Sequence, residues 1–213
     1  MQDKQLSTEE LIAKDVGARL PGGTMAAMIA GLALAWSLFQ LWIASPLPFS
    51  LGVFVLNDTE SRSIHLAFAV FMAFAAYPAF KRSPREYVPV VDWILAAVAA
   101  FCAAYLFLFY AELAQRPGMP TTMDLTVAVI GMTLLLEAAR RALGLPMVIL
   151  AVVFLGYIFF GPYMPEVIAH RGASLAKGMS HLWLTTEGVF GVALGVFVGL
   201  RQYSFWDVSL TTL

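Results

Sequence analysis

The chain has 213 residues, of which 60% are hydrophobic and only 13% are charged, and its mean hydropathy is +0.78. A water-soluble domain carries about 25% charged residues, so this composition predicts a polytopic membrane protein. The formal net charge of −1 gives no reason to expect a nucleic-acid partner, and the single cysteine, Cys102, excludes an internal disulfide.

Continuous apolar runs predict an all-α fold with five to six transmembrane helices, since a membrane β-barrel would show alternating residues instead. Residues 1–23 precede these spans and are predicted to form an amphipathic helix on the cytoplasmic surface, because Ser7 and Glu10 have the spacing of a capping box. In chain order the predicted spans are 24–44, 64–80, 92–110, 125–138 with its flanks, 145–160 and a shorter sixth at 188–200.

Basic residues orient the predicted spans, because lysine and arginine favour the cytoplasmic side of a membrane. They cluster before the first span, after the second and after the fourth. These residues are Lys4, Lys14, Arg19, Lys81, Arg82, Arg85, Arg140 and Arg141. The alternation predicts a cytoplasmic N-terminus and two hairpins formed by spans one to four.

The segment LLLEAARRALGLPMVIL at 134–150 either continues one long helix or turns between two spans. A continuous helix would bury Glu137, Arg140 and Arg141 near the midplane, at roughly 2.5–3.5 kcal/mol for each central arginine. Gly144 is suited to ending one helix, and Pro146 to beginning the next. The sequence therefore predicts a cytoplasmic turn, with Glu137 paired to one of the two arginines at helical spacing.

The sequence offers few residues for chemistry, and no catalytic, substrate-binding or metal-binding residue is assigned. Its three histidines, His65, His170 and His181, lie away from the middles of the predicted spans and form no facing pair for haem. No motif with metal-ligand spacing is present, and no cofactor is expected. Asp92 and Asp124 are interpreted as residues that favour helix N-termini.

The segment after the fifth span predicts an amphipathic helix at 174–184 on the outer surface. Its apolar side consists of Leu175, Met179, Leu182 and Trp183. Glu187 then begins the sixth span, and the glycines at 188, 191 and 195 permit close packing against a neighbouring helix. A plain interfacial helix followed by an ordinary span fits the same residues equally well.

Five segments taken together resemble one group of membrane proteins. They are VDWILA at 91–96, EAARRALGLP at 137–146, GYIFFGPYMP at 156–165, HRG at 170–172 and LWLTTEGVFGVALGV at 182–196. In this order and spacing the chain resembles the fused permeases of tripartite ATP-independent periplasmic (TRAP) transporters, in the branch that works with TAXI-type binding proteins. The resemblance covers roughly residues 60–196.

The resemblance implies a secondary transporter of the bacterial inner membrane. In that family a periplasmic binding protein delivers an organic anion, such as a carboxylate, to a permease, and a sodium or proton gradient drives uptake. By this resemblance, residues 24–144 are a small four-helix module and 145–164 a connector transmembrane helix. Residues 165–200 are then a periplasmic interfacial helix and the first helix of the large permease module.

The resemblance assigns only structural or docking roles to individual residues. His170, Arg171 and Glu187 match positions of the family motifs. The other residues given such a role are Glu137, Arg140 and Arg141. The implied partners are the lipid bilayer, the large permease module and a TAXI-type binding protein.

Downstream of Gly195 the sequence departs from the family pattern. The family continues with an apolar helix and the re-entrant hairpins that bind substrate and ions, whereas this chain reads VFVGLRQYSFWDVSLTTL. Residues 201–213 are interpreted as a divergent tail, produced by a frameshift or a truncated reading frame. The predicted role is therefore a non-enzymatic scaffold that does not transport alone. The alternatives are a complete small subunit that assembles with a separate large permease chain, and a membrane-embedded redox subunit that binds haem.

Overall fold

A computed structural model describes residues 17–80, 82–185 and 188–190. Within these residues the chain folds into helices and contains no β-strand, so the all-α prediction is confirmed there. In chain order the helices are α1 Gly23–Ala44, α2 Leu47–Leu51, α3 Asp58–Ala76, α4 Val90–Leu108, α5 Tyr110–Ala114, α6 Thr122–Ala142, α7 Leu145–Phe160 and α8 Leu175–Leu184. A 3₁₀ turn, Gly161–Tyr163, follows α7 directly.

Four helices of the described chain are long and apolar enough to cross a membrane: α1, α4, α6, and α7 together with its 3₁₀ turn. The helix α3 has 19 residues but is not among the four. Its first two turns contain Asp58, Glu60 and Arg62, which lower its hydropathy. The second predicted span therefore exists as a helix with a polar beginning.

Several predicted segments lie outside the described residues. They are residues 1–16 of the N-terminal helix, Glu187, most of the sixth span and the tail at 201–213. The described end of the N-terminal segment, residues 17–22, is not helical, and α1 begins only at Gly23. The segment ends with Pro21 and Gly22, and neither residue type favours a helix interior.

Reciprocal capping boxes set the beginnings of two of the described helices. Asn57 accepts a hydrogen bond from the Glu60 amide, and the Glu60 carboxylate accepts one from the Asn57 amide, each at 2.9 Å. This capping box starts α3 six residues before the predicted span. Thr121 and Asp124 form the same reciprocal cap at the start of α6.

The break between α6 and α7 confirms the predicted turn at Gly144. Helix α6 ends at Ala142, and Gly144 adopts a φ of +90°, a conformation that glycine reaches without strain. Helix α7 then begins at Leu145, with Pro146 in its first turn. Residues 134–150 are thus two helices and not one.

The long helices pack around α6 and α3. Helices α3, α4 and α6 contact one another, α1 lies against α3, and both α7 and α8 lie against α6. One buried cluster joins α3, α4 and α6, and its small residues Ala96, Ala99 and Ala138 permit close helix approach. A second cluster joins α4 and α6 to Met179 and Trp183 of α8.

Candidate functional site

A cluster of buried charges joins the helix ends that lie on the same side as the α6–α7 turn. Asp92, in the first turn of α4, is 5% exposed and contacts two arginines. Arg141 at the end of α6 donates from Nη1 to Asp92 Oδ1 at 2.9 Å, and Arg19 donates to Asp92 Oδ2. The side chains of Arg19 and Arg141 are 0% and 2% exposed. The carboxylate of one helix thus bridges two segments that are distant in sequence.

Glu137 extends this charge cluster along α6. Arg140 Nε donates to Glu137 Oε2 at 2.7 Å, and Arg141 Nε donates to Glu137 Oε1 at 2.8 Å. The predicted pairing at helical spacing is therefore confirmed, and Glu137 pairs with both arginines. Arg141 also contacts Asp92, so it links the two carboxylates. Every carboxylate oxygen of the charge cluster accepts a hydrogen bond from an arginine.

The arginines of the charge cluster also cap the end of α3. Arg19 Nη1 lies 2.9 Å from the carbonyl oxygen of Phe74 and 3.1 Å from that of Ala75. Arg140 Nη2 donates at 2.7 Å to the carbonyl of Ala79, which lies in the loop three residues after the end of α3. The last carbonyls of a helix lack intrahelical donors and carry partial negative charge, so guanidinium groups are favourable partners there. The Arg141 guanidinium additionally lies 4.6 Å from the centre of the Phe74 ring.

The charge cluster holds separate parts of the chain together. Three arginines and two carboxylates connect residues 17–22 and the ends of α3, α4 and α6. Removing one member of a buried ion pair leaves an uncompensated charge, which commonly costs about 3–5 kcal/mol. The interpretation of Asp92 as a residue that favours a helix N-terminus does not include this role, and the basic pattern assigns Arg19 only to the orientation of the first span.

The opposite ends of α4 and α6 carry a second buried carboxylate. Asp124 is fully buried and accepts hydrogen bonds from the Tyr105 hydroxyl and the Thr121 amide, both at 2.7 Å. Arg116 Nη1 lies 2.8 Å from Oδ2 of the same carboxylate and forms a salt bridge with it. Its interpretation as a helix N-terminal residue is confirmed, with an added link to Tyr105 of α4.

His170 closes the loop after α7 onto that helix. Its Nε2 lies 2.8 Å from the Tyr157 carbonyl oxygen, and its Nδ1 accepts from the Gly172 amide at 3.0 Å. The imidazole covers Gly161 so closely that a Cβ atom there would overlap it. Arg171 next to it is exposed. The structure thus places these residues of the HRG motif at the end of α7 remote from the charge cluster.

Trp183 fixes α8 in the groove between α4 and α6. It is 1% exposed, its indole Nε1 donates to the Cys102 carbonyl at 3.1 Å, and its ring leaves no space for a Cβ atom at Gly131. Phe190 packs edge-on against it at 5.6 Å. Of the predicted apolar side, Met179 and Trp183 are buried, whereas Leu175 is 61% exposed.

The three histidines lie in separate surroundings. His65 of α3 accepts a hydrogen bond from Trp36 of α1, His170 lies against α7, and His181 is exposed on α8. In the described part of the chain, no three His, Cys, Asp or Glu residues are grouped so that they could hold a metal ion. Comparisons with known protein families, curated proteins and solved structures found no match.

Proposed function

We propose that the chain is a membrane scaffold of a TRAP-type permease, in a transporter that takes up organic anions with a periplasmic TAXI-type binding protein. The observation that carries the proposal is that the segments resembling this family meet in space. VDWILA supplies Asp92, and EAARRALGLP supplies Glu137, Arg140 and Arg141, which together form most of the charge cluster. Because both motifs contribute residues to one charge cluster, they are expected to occur together.

The other resembling segments also contact one another or the helices. Tyr157 and Gly161 of GYIFFGPYMP pack against His170 of HRG. Trp183 of LWLTTEGVFGVALGV docks into the groove of α4 and α6 beside Gly131. Contacts of this kind would hold a following module in a fixed position relative to the helices.

The proposed topology follows from the charge cluster. Two of its arginines lie at the end of α6 and one lies ahead of α1, and an excess of basic residues favours the cytoplasm. The N-terminus is then cytoplasmic, and α1, α3, α4 and α6 cross the bacterial inner membrane. The polar first turns of α3 lie at the periplasmic headgroups, where charged side chains reach water. Helix α7 returns the chain to the periplasm as the connector.

In this proposal the scaffold does not bind substrate. Substrate and the coupling sodium ion or proton belong to the large permease module, which moves relative to a fixed support. A support of this kind needs helix ends that do not separate, and the charge cluster supplies four tied segments. The chain alone should therefore not transport.

Reconstitution tests the proposal directly. The purified chain is placed in proteoliposomes, a sodium or proton gradient is imposed, and uptake of labelled carboxylates is measured against empty liposomes. We expect uptake no greater than in the empty liposomes. Gradient-driven uptake by this chain alone would contradict the scaffold role.

The gene offers a second test. Sequencing the gene and its neighbourhood should reveal a coding sequence for an apolar, many-span module, either in the same gene or in a separate one. A confirmed stop, with neither such a coding sequence downstream nor a separate large permease gene, would contradict the proposal.

A further inference from the structure

Helix α1 is held against the rest of the described chain by few contacts. It packs chiefly against α3, and none of its residues is buried. Apolar side chains gain little when they exchange lipid for a neighbouring helix, so hydrogen bonds between helices help to fix the position of a helix in a membrane. The polar contacts of α1 with α3 are therefore a main determinant of where α1 lies.

One nitrogen of α3 provides the polar contact to α1. The Trp36 indole Nε1 donates to His65 Nδ1 at 3.2 Å, and the Gln40 amide nitrogen contacts the same atom. Phe39 and Phe68 pack beside them, with ring centres 5.9 Å apart. Trp36 and Gln40 are four residues apart, so they lie on one face of α1 and reach His65 from adjacent turns.

These contacts determine the protonation state of His65. An indole nitrogen donates and cannot accept, so His65 Nδ1 must be the acceptor and carries no proton. The Gln40 NH₂ group then also donates to Nδ1, and the ring proton is on Nε2. The position of α1 on α3 therefore requires a neutral imidazole.

Protonation of His65 would reverse this contact. A proton on Nδ1 removes the acceptor of both donors and directs N–H groups at one another. The edge of an aromatic ring is the positive side of its quadrupole, and the indole presents its N–H edge to His65. An imidazolium is therefore repelled where the neutral ring accepts a hydrogen bond.

No charged group of the described residues lies where it would compensate an imidazolium. His65 forms no ion pair there, and residues 23–57 of α1 and its connection to α3 contain no titratable residue. On α3, Glu60 caps the helix start and Asp58 pairs with Arg62, which lies three residues before His65 and disfavours a second positive charge. The titratable residues of the other long helices packed on α3 have partners elsewhere or, for Cys102, lie in the buried cluster with Trp183. They are Asp92, Cys102 and Tyr105 of α4, and Asp124, Glu137, Arg140 and Arg141 of α6.

We propose that His65 is a pH-sensitive switch that holds α1 on α3 at neutral pH and releases it when the pH falls. Histidine is the side chain that gains a proton most readily between pH 8 and pH 5. His65 is partly exposed and lies seven residues after the start of α3, about 10 Å along the helix from its polar end. Protons reach it from that end, which is the periplasmic end in the topology proposed above.

The direction of the pH dependence follows from proton binding. The separated form can bind a proton at Nδ1, whereas the docked form cannot do so without losing both hydrogen bonds. The ratio of separated to docked α1 therefore rises as the pH falls, by up to tenfold for each pH unit. The inference requires only the packing of α1 on α3 and is independent of the transport proposal.

The experiment measures the distance between α1 and α6 in the full chain at two pH values. Spin labels are attached through Leu41→Cys of α1 and Met123→Cys of α6, both exposed positions, in a chain that also carries Cys102→Ala. The chain is reconstituted in lipid nanodiscs, and distances are obtained by double electron–electron resonance. At pH 8 we expect one narrow distance distribution. At pH 5 a second, longer distance should appear, with a population at least tenfold greater than at pH 8.

Two histidine variants assign the response. His65→Gln offers an uncharged acceptor to Trp36 and should give the narrow distribution at both pH values. His181→Gln is the matched control, because His181 is exposed on α8, and it should respond to pH like the wild type. An identical distribution at pH 8 and pH 5 in the wild type would overturn the switch. So would an equal pH response in His65→Gln and the wild type.

A second measurement keeps the test decisive where His65→Gln does not yield folded protein. The histidine nitrogens are labelled with ¹⁵N and observed by magnetic resonance, and the His65 signals are those retained in both His170→Gln and His181→Gln. We expect Nδ1 to be unprotonated at pH 8 and to gain its proton over the pH range in which the longer distance appears. A proton on Nδ1 at pH 8, or its uptake with no change in distance, would overturn the proposal.

Discussion

Replacing Asp92 with alanine tests whether the charge cluster holds the helix ends together. The change leaves Arg19, whose side chain is 0% exposed, with only the carbonyl oxygens of α3 as partners. Arg141, 2% exposed, keeps Glu137 but loses its link to α4. Breaking a buried ion pair by removing one partner typically costs about 3–5 kcal/mol. We expect Asp92→Ala to lower the free energy of unfolding by about that amount.

The assay is unfolding of the purified chain in mixed micelles, in which a denaturing detergent is titrated and helix content is followed by circular dichroism. Asp58→Ala is the matched control. Asp58 also lies in the first turn of a helix and pairs with Arg62 at 3.3 Å, but its side chain is 80% exposed. Exposed pairs contribute about 0–1 kcal/mol, so this control should lose less than about 1 kcal/mol.

A double variant decides whether the cost arises from the unpaired arginine. Arg19→Met combined with Asp92→Ala removes both charges of that pair, and apolar replacement of a whole buried pair is often close to neutral. The double variant should therefore be more stable than the sum of the two single changes predicts, by about 1 kcal/mol or more. Strictly additive costs, or equal losses for Asp92→Ala and Asp58→Ala, would refute the reasoning.

The remaining predictions concern the other packed contacts and use the same unfolding measurement. Gly131→Ala places a methyl group against the Trp183 indole and should cost about 1–3 kcal/mol, whereas Gly156→Ala, which meets open space, should not destabilise; equal effects would contradict the contact. Trp183→Phe removes the indole N–H and part of the buried ring system, so the lost hydrogen bond and the cavity together should cost about 1–3 kcal/mol, and a loss near zero would contradict the packing of this ring. Asp124→Ala removes the carboxylate that accepts from the Thr121 amide and the Tyr105 hydroxyl, at about 2–4 kcal/mol, and a surface-like loss below about 0.5 kcal/mol would contradict its burial.

Helix positions were predictable where local residues determine them. Gly144 and Pro146 fixed the break between α6 and α7, because their backbone preferences act within a few residues. The start of α3 was placed six residues too late, since an apolar run marks the membrane-crossing part of a helix and not its cap. The Asn57–Glu60 capping box was readable in the sequence and gives the correct start.

The charge cluster was only partly predictable, because only some of its contacts lie between residues that are close in sequence. Glu137 and its arginines are neighbours on one helix, so their spacing reveals the pairing. The contacts of Asp92 with Arg19 and Arg141 span 73 and 49 residues, and they depend on how separate helices pack. The sequence nevertheless predicts that Asp92, Arg19 and Arg141 all lie near the same side of the membrane. That shared location is a signal for ion pairs between them.

The docking of α8 shows a similar limit. Its amphipathic pattern predicts a helix with one apolar side, and that helix exists at Leu175–Leu184. The pattern does not reveal what the apolar side contacts. The Trp183 ring occupies the space beside Gly131, which has no side chain, and its indole N–H donates to a backbone carbonyl of α4. The sequence of α8 itself reveals neither contact.

The scaffold role is tested most directly by identifying what the chain binds in its own membrane. A tagged chain is cross-linked in native membranes, purified in mild detergent and analysed by quantitative mass spectrometry. We predict that a large many-span permease module and a periplasmic TAXI-type binding protein are recovered with it, the permease module at a fixed ratio. Recovery of an intact chain with neither partner, or with haem and redox subunits in their place, would contradict the proposal.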